Sequence, residues 1–135
     1  MKKVAINGLG RIGRLVLRHL MKVPHVQVVA VNDVMDAATL AHLLKYDSVH
    51  GRFAAAVTHG EDFIDVGQGP IRVTALRNPA DLPWSDVDVV MECTGRADSR
   101  EVAARGLQAG ARRVLVSGPS AAADVTVVLG ANEAV

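Results

Sequence analysis

Lys3-Val4-Ala5-Ile6-Asn7-Gly8-Leu9-Gly10-Arg11-Ile12-Gly13 stands at the start of the chain and places a G-x-G-x-x-G between a short apolar run and a helical period. Val4-Ala5-Ile6 reads as a buried strand. Over residues 11–23, apolar Ile12, Leu15, Val16 and Leu20 recur on one face, which predicts a helix. Pro24 ends it. Each glycine has its own task. Gly8 lets the chain turn sharply out of the strand. Gly10 has no Cβ, so the backbone can approach a pyrophosphate. Gly13 lets the helix lie close to the sheet. The N–H groups of Arg11 and Ile12, at the positive end of the helix dipole, face the anion.

Residues 26–31 form a second apolar, β-branched run that ends at Asn32-Asp33. Asp33 lies about 20 residues past the loop, where an acid is expected to hold the ribose hydroxyls of a dinucleotide. A carboxylate accepts hydrogen bonds from both hydroxyls of NAD and repels the 2′-phosphate of NADP, so NAD is the expected cofactor. The alternative is an Asp that caps a strand-to-helix turn.

Beyond this unit, residues 36–45 read as a helix with Leu40, Leu43 and Leu44 on its apolar side. The middle differs. Val57-Thr58, Phe63-Ile64-Asp65-Val66 and Ile71-Arg72-Val73 are short strand candidates broken by Gly60, Gly67 and Gly69, a small meander or hairpin. The main rhythm then returns with a strand at 87–91, a helix at 99–109 and strands at 113–116 and 125–129. Alternating strands and helices predict an α/β fold: a doubly wound, mostly parallel sheet of Rossmann type with a small antiparallel insertion.

The chain has 135 residues, enough for one domain over residues 1–135. Half are hydrophobic, 21% are charged and only 3% are aromatic, so the core is built from Val, Leu, Ile and Ala. A net charge of +1 calls for neither nucleic acid nor an anionic membrane as partner. The apolar run behind Lys2-Lys3 stops at Asn7, too short for a signal peptide, and no stretch approaches the roughly 20 apolar residues of a membrane span. A cytoplasmic location is expected. A single cysteine, Cys93, excludes an intramolecular disulfide and a Cys-rich zinc site.

Val4-Ala5-Ile6-Asn7-Gly8-Leu9-Gly10-Arg11-Ile12-Gly13-Arg14 resembles the opening of the phosphorylating glyceraldehyde-3-phosphate dehydrogenases. The likeness continues in Ala30-Val31-Asn32-Asp33, in Leu43-Leu44-Lys45-Tyr46-Asp47-Ser48-Val49-His50-Gly51-Arg52-Phe53, in Leu82-Pro83-Trp84 and in Glu92-Cys93-Thr94-Gly95. The erythrose-4-phosphate dehydrogenases have a similar N-terminal half. The resemblance implies a set of cofactor-binding residues: Asn7, Gly8, Gly10, Arg11, Ile12, Gly13, Asn32, Asp33, Arg77, Thr94, Gly95 and Ser117. Asn7 would support the loop, Arg77 would lie by the adenine, Thr94 and Gly95 would line the cofactor, and Ser117 would sit near the nicotinamide. The family usually continues after Thr94-Gly95 with apolar and aromatic residues. Here Arg96-Ala97-Asp98 follows, which is expected to weaken adenine packing. Gly118-Pro119 in place of the usual Ala-Pro is a mild change. The family's nucleophilic cysteine and base histidine belong to segments that this sequence does not contain, so a catalytic domain is expected to be absent and the isolated chain inactive. Its partners would be NAD, its own catalytic domain or further copies of itself.

Cys93 and Glu92 are the remaining chemical candidates. Cys93 has no histidine near it in sequence and reads as a small buried residue at a strand end. Glu92 reads as a structural carboxylate, with a general-base role as the alternative. His19, His25, His42, His50 and His59 show no ligand spacing. Arg105, Arg112 and Arg113 read as a solvated basic patch, because no aromatic residues interleave with them. Three functions stand open: the cofactor half of an aldehyde dehydrogenase, a stand-alone nucleotide-binding or interaction module, and a small dehydrogenase with a complete site of its own.

Overall fold

The computed structural model describes residues 2–35, 37–47, 51–52, 57–67, 69–75, 82, 84–93 and 105–116. Strand β1 (Lys2–Asn7) leads through the glycine loop into helix α1 (Arg11–Leu20), then β2 (Val26–Asn32) and α2 (Ala37–Lys45). A two-stranded antiparallel ribbon follows, β3 (Tyr46–Asp47) with β4 (Gly51–Arg52). Then come β5 (Thr58–His59), β6 (Phe63–Asp65), β7 (Pro70–Thr74), β8 (Val89–Glu92), α3 (Arg105–Gln108) and β9 (Arg113–Val116).

Among the described residues the main sheet runs β5-β6-β7-β2-β1-β8-β9. Strands β7, β2, β1, β8 and β9 are mutually parallel, while β5, β6 and β7 form an antiparallel meander at one edge. The chain starts in the middle of the sheet. It winds outward through β2 to β7, then returns to the other side of β1 for β8 and β9. This is the doubly wound fold with its antiparallel insertion, and the reversal at β1 creates a crevice beyond the strands' carboxyl ends.

Two apolar layers cover the sheet. On one face Ile6, Val28, Val31, Ile71 and Val73 pack against Leu17 of α1 and Ala37, Leu40, Ala41 and Leu44 of α2. On the other, Ala5, Ala30 and Val90 pack against Leu82, Trp84, Val87, Ala109 and Ala111. A bulge in β2 adjusts the register. Val4 pairs with Val28 but Ala5 pairs with Ala30, so Val29 is the extra residue. It lets Val28 and Val31 share one face, while Val29 and Ala30 share the other.

Several boundaries differ from the sequence expectation. Helix α1 ends at Leu20, and the expected last turn tightens into i→i+3 bonds, Lys22 N–H to His19 O at 3.0 Å and Val23 N–H to Leu20 O at 3.1 Å. Its core face centres on Gly13 and Leu17. Ile12, expected inside, is 48% exposed. The strand expected at 87–91 begins at Val89, since Val87 N–H closes a turn onto Trp84 O at 3.1 Å. Residues 99–104 of the third expected helix and the expected strand at 125–129 lie outside the described residues. Among the described residues no helix is long and apolar enough to cross a membrane.

Candidate functional site

The site is built where β1, β2, β7 and β8 end. Three backbone bonds hold these ends together: Gly8 N–H to Asn32 O at 2.8 Å, Asp33 N–H to Thr74 O at 3.0 Å, and Cys93 N–H to Asn7 O at 2.8 Å. The last residue of each strand is polar, and register places Asn7 beside Asn32 and Glu92, and Asn32 beside Thr74. Their side chains form a row across four strands. Thr74 Oγ1 donates to Asn32 Oδ1 at 2.7 Å, and Asn32 Nδ2 donates to Asn7 Oδ1 at 2.9 Å. Asn7 Nδ2 donates to both Glu92 oxygens, at 3.1 and 2.9 Å. Asn7, Asn32 and Glu92 are buried. A carboxylate oxygen accepts, so Asn7 must turn its amide nitrogen toward Glu92. That choice orients every later member of the row. The row matches the structural reading of Glu92. Thr74 was not anticipated; its signal is only that it is a polar residue closing an apolar strand.

Above this row the glycine loop leaves β1. Gly8 has φ 94°, the left-handed region that suits glycine. Gly13 is required by close approach: a Cβ there would overlap the Gly8 carbonyl and sit 3.5 Å from Cys93 Cβ. Gly10 is different. Its backbone is extended, with φ −67° and ψ −162°, and a Cβ there would meet nothing within 4 Å. Gly10 is also the N-cap of α1, with no side-chain cap and no acid in the first turn. The first N–H groups of α1 therefore have neither an intrahelical acceptor nor a side-chain cap. Arg11 and Ile12, both exposed, stand at this end.

Asp33 faces the loop from the end of β2. Its Oδ2 accepts Leu9 N–H at 2.6 Å and its Oδ1 accepts Met35 N–H at 3.1 Å. The residues present fit a dinucleotide: open volume over Gly10, uncapped amide donors for a pyrophosphate, and a carboxylate beside them for ribose hydroxyls. Asn7, Gly8, Gly10, Arg11, Ile12, Gly13, Asn32 and Asp33 are thus brought to one end of the sheet. Arg77, Thr94, Gly95 and Ser117 lie outside the described residues, as does His50. Cys93 is buried at the end of β8, as a small packing residue would be.

Comparison with known proteins agrees with this geometry. Residues 2–100 match the family profile described as "Glyceraldehyde 3-phosphate dehydrogenase, NAD binding domain". The chain is 59% identical over 134 residues to a glyceraldehyde-3-phosphate dehydrogenase of Cereibacter sphaeroides, covering 98% of this chain and 40% of that protein. It is 56% identical over 134 residues to that of Xanthobacter flavus, covering 96% of this chain and 40% of the relative. It is 52% identical over 133 residues to that of Geobacillus stearothermophilus, covering 97% of this chain and 40% of the relative. The chain therefore spans about 40% of the length of these relatives. Neither an unrelated stand-alone module nor an erythrose-4-phosphate enzyme is favoured by these matches. The chain belongs to the glyceraldehyde 3-phosphate dehydrogenase family and carries its NAD-binding domain.

Proposed function

We propose that this chain supplies the NAD cradle of a phosphorylating glyceraldehyde-3-phosphate dehydrogenase, in which an aldehyde is oxidised and hydride passes to NAD. The observation that carries the reading is the uncapped start of α1 beside Gly10, faced by the Asp33 carboxylate. NAD, when bound, is the hydride acceptor. In this reading the N–H groups of Arg11 and Ile12 hold the pyrophosphate, with Gly8, Gly10 and Gly13 shaping the loop. Asp33 takes the adenosine ribose, and Asn7 and Asn32 support the strand ends beneath. Arg77, Thr94, Gly95 and Ser117 complete the cofactor contacts. Residues 1–135 form one NAD-binding domain in this reading. It works in the cytoplasm, joined to its catalytic domain or to further copies of itself.

Calorimetric titration tests the cofactor. NAD is expected to bind with micromolar to millimolar affinity, about −4 to −8 kcal/mol, and NADP more weakly. Tighter binding of NADP would remove Asp33 from its role.

A further inference from the structure

The Asp33 carboxylate is engaged by the protein itself. Its Oδ2 accepts the N–H of Leu9 at 2.6 Å, a contact between residues 24 apart that runs from the end of β2 into the glycine loop. Its Oδ1 accepts the N–H of Met35 at 3.1 Å. A carboxylate offers about four lone-pair positions, so the pair not used by the backbone suffices for both hydroxyls of a ribose. Leu9 is fixed in two further ways. Its side chain is fully buried in the core, and its carbonyl accepts Nη1 of Arg14 at 3.3 Å. The next residue, Gly10, is the N-cap of α1, whose first N–H groups have no side-chain cap.

We infer that Asp33 has a second task that does not involve the ribose: it is a positioning residue for the pyrophosphate loop. With no acceptor at this position, Leu9 N–H loses its partner. Past the Gly8 N–H bond to Asn32 O, the loop is then held by the Leu9 side chain and the long Arg14 contact. The uncapped N–H groups converge on a phosphate only while the loop keeps its shape, and ordering a loosened loop subtracts from binding. This rests on the NAD reading above and adds a consequence for specificity. An exchange at Asp33 meant to admit a 2′-phosphate also loosens the cradle for the pyrophosphate that NAD and NADP share.

The test uses a nucleotide that Asp33 cannot grip. 2′,3′-Dideoxyadenosine 5′-diphosphate keeps the pyrophosphate and adenine but has no ribose hydroxyl. It is titrated, beside ADP, into the 135-residue chain and its Asp33→Ala variant. If Asp33 served the ribose alone, the variant would bind the dideoxy nucleotide as well as the parent or better, because an anion has left the neighbourhood of the phosphates. The positioning role expects binding about tenfold weaker, and equal or tighter binding overturns it. Asp33→Asn keeps an acceptor for Leu9 N–H, so its affinity for the dideoxy nucleotide is expected between those of the parent and Asp33→Ala. An Asn variant no better than the Ala variant also counts against the role. A measurement on the unsubstituted chain needs no variant to fold. In hydrogen exchange without ligand, the Leu9 amide is expected to be protected while those of Arg11 and Ile12 exchange freely; a Leu9 amide as fast as Arg11 overturns the inference. Failure of the parent to bind ADP would instead defeat the NAD reading, a result separate from unaltered dideoxy binding.

Discussion

Gly10 and Gly13 show how two residues of one motif answer to different forces. A side chain at Gly13 meets backbone, whereas one at Gly10 meets nothing. Gly13→Ala is therefore expected to lower stability by about 1–3 kcal/mol, read as a fall in denaturant midpoint. Gly10→Val should cost only about 1 kcal/mol, mostly through the helix N-cap, yet reduce NAD affinity by tenfold or more as its side chain fills the approach to the amides. If both variants lost only stability, or both only affinity, this division of labour would be wrong. The loop was legible in the sequence because glycine spacing reports a backbone requirement directly. Ile12 was not, since helical periodicity names an apolar face but not which of its residues the fold covers. The partners of Asp33 were hidden for a related reason: Leu9 and Met35 contribute only their amides, which no side-chain pattern reveals.

At the level of strands and helices, the row from Thr74 to Glu92 ties together the four ends that carry the site. Its members look unremarkable one by one, and only strand register makes them neighbours. Sequence reading singled out Asn7, Asn32 and Glu92 but could not join them. The bulge at Val29 was hidden in the same way, because an apolar run does not display a skipped pairing. The two-residue strands β3 and β4 are too short to show any alternation. Glu92→Ala would leave the Asn7 amide donors without their carboxylate in a buried place. The expected loss is about 3 kcal/mol, roughly 10 °C in Tm. A Tm within a degree or two of the parent, in a calorimetric scan, would mean the row contributes little.

Across the whole molecule, the amino end of the sheet carries an electrostatic stitch of its own. Lys3 N–H donates to Asp88 Oδ2 at 2.9 Å, and this bond is the largest cause holding the Asp88 carboxyl below its ordinary pKa of 3.8. The charges of Lys2, Arg112 and Lys3 act in the same direction. A carboxyl with a depressed folded pKa contributes stability that is present above the unfolded pKa and fades as pH falls through the folded one. Asp88→Asn is therefore expected to lower the neutral plateau of a Tm-against-pH curve somewhat and to flatten its acid limb below about pH 4. An unchanged acid limb would remove Asp88 from that role. The winding order of the sheet has a consequence in time. Strand β1 is made first, yet one of its two sheet neighbours, β8, lies far along the chain, and the Asn7–Glu92 pair spans 85 residues. On a ribosome β1 can pair early with β2, but its other edge stays bare until β8 has emerged. During that interval the nascent sheet offers an unsealed central edge, at which a chaperone or a second nascent chain can pair before β8 does.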